Sequence, residues 1–272
     1  RLASESDRVL ELAQLKTNVS LTFEELAHQF VSGDLKGSAL EKAFFYHWIA
    51  KTHLQHLNRL LSCIDQPLVL TKELRKRRAY AFDSVPLEIL RSLIAFEVSI
   101  NTLVWEKPTA LLTRVLESQD KHLVMESVVG SGKTFFGVPT SNSVISGKGH
   151  HISINLFPRN IANSNIRTIS QQTRSIHKEP ASTFAFTRHT PYTKRLLWAF
   201  YMILKRVQHS GGSVNMTDRD AQNFELSFLL ALKKYAEGAD ENANSAAEGE
   251  KLVYFARCLQ MMRSLGFAMI DE

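Results

Sequence analysis

From His122 to Ile270, short apolar runs alternate with longer stretches whose apolar residues recur at helical spacing, and this alternation constrains the fold more than any other feature. The short runs are "HLVMES" (122–127), "HISINLFP" (151–158), "STFAFT" (182–187), "GGSVNMT" (211–217) and "GFAMI" (266–270). A helix is expected from Lys133, and others over 160–178, 193–210 and 220–238. Strand, helix, strand, helix predicts an α/β fold with a central parallel sheet and helices on both faces.

The part in front reads as all-α. "LTFEELAHQFVSG" opens on a capping signal, Thr22 followed three residues later by Glu25. Residues 38–64 and the Pro86-led stretch 86–105 keep apolar residues at helical spacing over several turns. The expected division is an α-helical region of unknown role over 1–85 and an α/β lobe over 86–272. The stretch 236–250, "AEGADENANSAAEGE", is poor in bulky apolar residues and predicts a surface loop.

With 44% apolar and 22% charged residues, a packed core is expected. No apolar run reaches the length of a membrane span and no leader peptide is visible, so no membrane partner and a cytoplasmic setting are expected. The chain starts on Arg1, which reads as a segment of something longer. Cys63 and Cys258 lack disulfide or metal-ligand spacing and read as buried thiols. His53 and His56 stand one helical turn apart without a third ligand and read as a helical pair. A net charge of +6 is compatible with a polyanion partner. The sharpest basic run, "TKELRKRRAY" (71–80), reads as a solvated helix face or loop, the alternative being a nucleic-acid patch.

One motif carries chemistry. "ESVVGSGKTFF" (126–136) holds Gly130, Ser131, Gly132, Lys133 and Thr134 between an expected strand and an expected helix. Backbone N–H groups of such a loop wrap phosphate oxygens, the lysine reaches the β- and γ-phosphates, and the hydroxyl ligates Mg²⁺. Ser127 stands where the usual first glycine would be, and it is small enough to permit the turn. The second half of such a site is an acidic residue at the end of a buried strand. "GFAMIDE" supplies Asp271 for Mg²⁺ and Glu272 to polarise water.

This pair, with the Pro-led stretch after the strand over 151–158, resembles the first RecA-like lobe of superfamily 2 helicase-type ATPases. Their phosphate loop often places a small residue where Ser127 stands. Asp271-Glu272 would be the start of a DExD/H box. The order of "IAFEVSINTLVW", "NLFPRNIANSNI", "FAFTRHTP" and "VNMTDRDAQNFELSFLLALKKY" also resembles the helicase-like core of a family of very large proteins, over roughly 86–272. The glutamine that often precedes the loop has no counterpart near Glu106-Lys107-Pro108. The resemblance implies an ATP- and Mg²⁺-dependent NTPase, completed by a second RecA-like lobe of the same longer chain. It places Pro158, Arg159 and Asn160 where a nucleic-acid backbone is gripped, the alternative being a helix start and a solvated arginine. Arg188 has a similar place or a local ion pair. A nucleic-acid or protein substrate fits a motor. A nucleotide-binding switch or scaffold is the other reading, because fold does not fix function.

Overall fold

The computed structural model describes residues 22–78, 85–104, 109–110, 112–114, 133–146, 151–237 and 244–270. The chain divides into two compact units, one holding residues 1–144 and 175–178, the other 145–174 and 179–272.

The described elements of the first unit are helices. α1 (Phe23–Ser32) starts on the expected capping box: Thr22 accepts from the Glu25 amide, and the Glu25 carboxylate accepts from the Thr22 amide at 2.7 Å. It ends on Gly33 in the left-handed region. α2 (Ala39–Ser62) is capped by Ser38, α3 (Pro67–Leu74) has proline in its first turn, and α4 (Leu87–Ile100) follows Pro86 and stops at Asn101, also left-handed. Leu26, Phe30, Phe44, Trp48, Leu93, Ile94 and Phe96 form one core. α4 therefore shares its core with residues that precede 86.

Two buried ion pairs tie these helices. Arg91 donates to Glu41, and Arg78 donates to Glu97 through Nε (2.9 Å) and Nη2 (2.6 Å) and to Thr52 at 2.7 Å. Glu97 also accepts from the Val104 amide at 2.9 Å. The basic run is thus not wholly solvated: Arg78 serves the core, while Lys72, Arg75 and Arg77 are exposed.

The second unit is α/β. Its four strands, β1 (Ile152–Phe157), β2 (Ala181–Thr183), β3 (Ser213–Thr217) and β4 (Gly266–Ile270), are all parallel, in the order β2-β3-β1-β4. Between them run α6 (Ala162–Ser175), α7 (Lys194–Ser210), α8 (Asp218–Glu237) and α9 (Asn244–Ser264); α5 (Val138–Ile145) precedes β1. Ile152, Ile154, Val214 and Met216 meet Phe200, Leu204, Phe224, Phe255 and Cys258 in a second apolar core. The alternate residues Ser153, Asn155, Ser213 and Asn215 are equally buried but polar. Asn155 donates to Asn215 (2.7 Å), and Asn215 donates to Ser170 of α6 (3.0 Å).

Three expectations are corrected. The strand expected over 182–187 is shorter: Phe184 still donates to Asn215 O, but the Phe186 amide turns to the Asp220 carboxylate at 2.7 Å, which ends the ladder. The loop expected over 236–250 is helical on both sides. α8 runs to Glu237 and α9 begins at Asn244, where Gly249 faces the Tyr235 ring and Glu250 pairs with Lys194. Gly249 permits the close approach of Tyr235, and residues 238–243 lie outside the described residues. Cys258 is buried, but Cys63, at the exposed end of α2, is only partly so.

Candidate functional site

Residues 126–132, with Ser127, Gly130, Ser131 and Gly132, lie outside the described residues, as do Asp271 and Glu272. Lys133 and Thr134 are described in their backbone. They begin a π-helical turn, Lys133–Gly137, that leads directly into α5. Within this turn Phe136 is fully buried against Phe96, with ring centroids 4.8 Å apart, and Thr140 donates to Phe136 O. A helical stretch thus starts at Lys133, and its first turn is anchored in the core of the first unit.

The second unit gathers the other candidates at one edge of its sheet. In parallel strands all carboxyl ends point the same way, and in open α/β sheets ligands bind beyond those ends. β1 runs into Pro158, Arg159 and Asn160, which form a turn closed by Ile161 N donating to Pro158 O at 3.1 Å. α6 starts only at Ala162, so Pro158 does not itself open the helix. Arg159 and Asn160 are exposed. β4 pairs with β1, Ile270 opposite Leu156, so the strand leading to Asp271 ends beside the strand leading to Pro158. Neighbouring strands lie about 4.8 Å apart.

The loop after β2 carries exposed Arg188, which has no ion pair among the described residues. This loop is pinned by Asp220. The carboxylate accepts from Phe186 N (2.7 Å), Thr217 N (2.9 Å) and Thr217 Oγ1 (2.6 Å), and Asn223 donates to Phe186 O at 2.8 Å. Arg219, exposed at the start of α8, stands at the same carboxyl edge. In strand order the edge therefore presents Arg188, Arg219 and Arg159 in a row. Arg219 and the pinning role of Asp220 were not singled out from the sequence. The signal was the Thr-x-x-Asp spacing of "TDRD", a helix-start pattern.

Among the described residues no group of three His, Cys, Asp or Glu is placed to hold a metal. His53 meets Arg78 (Nη1 to Nε2, 3.3 Å), and burial, with the Arg78 charge, lowers its pKa. Burial pushes the Cys258 thiol up to about 12, which leaves it inert at neutral pH. No described helix is long and apolar enough to cross a membrane. Compared with family models, curated proteins and solved structures, the chain matches none.

Proposed function

We propose that the chain binds a nucleoside triphosphate, ATP by its resemblance, and hydrolyses it with Mg²⁺ as the first RecA-like lobe of a helicase-like motor. The observation that carries the reading is the parallel pairing of β4 with β1, which supports a shared edge for the acidic pair and the Pro158–Asn160 turn. The start of a helical stretch at Lys133, directly after Gly-Ser-Gly, supports the phosphate-loop half.

The donor set suits the metal. A hydroxyl and a carboxylate are the hard oxygen ligands that Mg²⁺ takes, so Thr134 and Asp271 would hold it. Bound there, Mg²⁺ would neutralise charge on the phosphates. The Lys133 ammonium would oppose the charge of the β- and γ-phosphates. The backbone N–H groups of Gly130, Ser131 and Gly132 face the same oxygens in this reading. Glu272 orients, and takes a proton from, the attacking water. A facing lobe with arginines would complete the transition-state charge balance, a term worth about 10³–10⁵ in rate.

The test is Lys133→Ala, with far-ultraviolet circular dichroism as the folding control. Loss of affinity for a fluorescent ATP analogue with an unchanged spectrum is expected. Undiminished affinity in the variant removes the phosphate-loop assignment.

A further inference from the structure

We propose a second anion site in the α/β unit: a groove between α6 and edge strand β2 that holds successive phosphate groups of an extended polyanion. From Ser127 to Lys178 the sequence has no Asp or Glu, while it carries Lys133, Lys148, Arg159, Arg167, Arg174 and Lys178. α6 lies wholly within that acid-free stretch. Residues of α6, with Thr183 of edge strand β2, line an open groove of about 840 Å³.

The chemistry of the wall selects the ligand. Asn163, Arg167, Ser170, Gln171, Arg174 and Thr183 all bring N–H or O–H donors, and no carboxylate lines the groove. A ligand made only of acceptors fits such a wall, and phosphate oxygens meet Arg, Ser, Asn and Gln side chains in this way. Two of the donors are held in place. Arg174 Nη2 donates to Ala181 O, which ties the guanidinium to β2 and leaves its other nitrogens for a ligand. Ser170 accepts from the buried Asn215 amide at 3.0 Å, and Asn215 is held in turn by Asn155, so the Ser170 proton is left for an outside acceptor. Arg167 is exposed and has no ion pair among the described residues. Arg167 and Arg174 are seven residues apart on one helix face, about 10.5 Å along the axis, so the groove spans more than one phosphate.

No aromatic side chain lines the groove. Bases would therefore not stack there, and contact would be to phosphate alone, without base preference. A nucleic-acid strand and inorganic polyphosphate share that chemistry. None of the groove residues belongs to the Gly-Ser-Gly-Lys-Thr motif.

The experiment is fluorescence anisotropy of the whole chain with labelled dT and dA 12-mers, in 50 and 200 mM salt. Arg167→Ala, which breaks no ion pair among the described residues, is expected to weaken both oligomers equally, about three- to tenfold, and to lower the log–log salt slope by about one. Arg174→Lys is expected to weaken binding while circular dichroism stays unchanged. Lys133→Ala is expected to leave oligomer affinity within about twofold, which separates this site from the nucleotide reading. Polyphosphate that competes identifies phosphate alone as the recognised group; polyphosphate that does not compete, with the Arg167 effect intact, identifies the sugar-phosphate strand. Unchanged affinity and salt slope in Arg167→Ala, or a loss confined to Arg159→Ala, overturns the proposal.

Discussion

Gly212→Ala tests the packing of the parallel sheet at its tightest point. Gly212 has φ +98°, and a Cβ built there would lie 1.9 Å from Pro180 O and 2.9 Å from Pro180 C. That carbonyl is not free to move, because it accepts from Ser213 N at 3.0 Å, next to the first paired residues of β2 and β3, Ala181 and Ser213. The left-handed backbone alone costs an L-residue about 1–2 kcal/mol. Relieving the collision needs a shift of an ångström or more, which breaks that hydrogen bond for about 1 kcal/mol more. It also disturbs the fully buried Val214 and Met216, so a total of about 3–5 kcal/mol follows, within the range of strain and repacking effects. Gly37→Ala is the internal control. It has φ +79° with nothing within 4 Å of its Cβ, so only the backbone term of about 1–2 kcal/mol applies. Hydrogen exchange by mass spectrometry across a urea series reads the opening free energy of peptides from each unit separately. If the β3 amides of Gly212→Ala lose no more than the α2 amides of Gly37→Ala, the collision argument is wrong.

Three further outcomes are expected. Asp220→Ala strips the acceptor from Phe186 N and Thr217 N and should destabilise the second unit by about 2–3 kcal/mol, with faster exchange over 184–193; protection equal to that of an Asp218→Ala control would refute its pinning role. His177 is fully buried with no partner for either ring nitrogen among the described residues, and burial lowers its pKa from 6.5 to about 3. Its folded pKa is depressed, so its neutral form contributes fully above pH 6.5, and stability falls as pH drops from 6.5 towards 3. The slope is about 1.4 kcal/mol per pH unit, and His177→Leu should flatten it; urea midpoints of wild type and variant with identical pH slopes would exclude this. Replacing residues 244–250 with a Gly/Ser linker should lower the stability of the second unit by about 2–4 kcal/mol, since helical Gly is worth about 1 kcal/mol less than Ala per residue. An unchanged urea midpoint would mean that this stretch is not helical in solution.

What the sequence determined by itself is local. Helical periodicity and the Thr22–Glu25 box located α1, α2 and α4, and short apolar runs located β1, β3 and β4, because these signals depend on residues within one or two turns of each other. The Gly-Ser-Gly-Lys-Thr motif is read in the same local way, because its residues are contiguous, and Gly130, Ser131 and Gly132 lie outside the described residues. Tertiary structure decided what depends on distant partners. β2 stops at Thr183 because Asp220, 34 residues beyond Phe186, captures the Phe186 amide. The stretch after Asn244 is helical although its composition reads as loop, and it meets Lys194 and Tyr235 of other helices. The Pro86-led helix joined residues 23–62 rather than the sheet, since Phe30, Phe44 and Phe96 share one core. Strand order was equally beyond local reach: the pairing of β4 with β1 joins residues more than a hundred positions apart, and no neighbour in sequence encodes which edge a strand takes. The donor face of α6 became a groove only because β2 was folded against it, with Arg174 bonded to Ala181 O. A helix wheel alone shows the same side chains as ordinary surface, and it takes the facing strand to turn them inward on a common ligand.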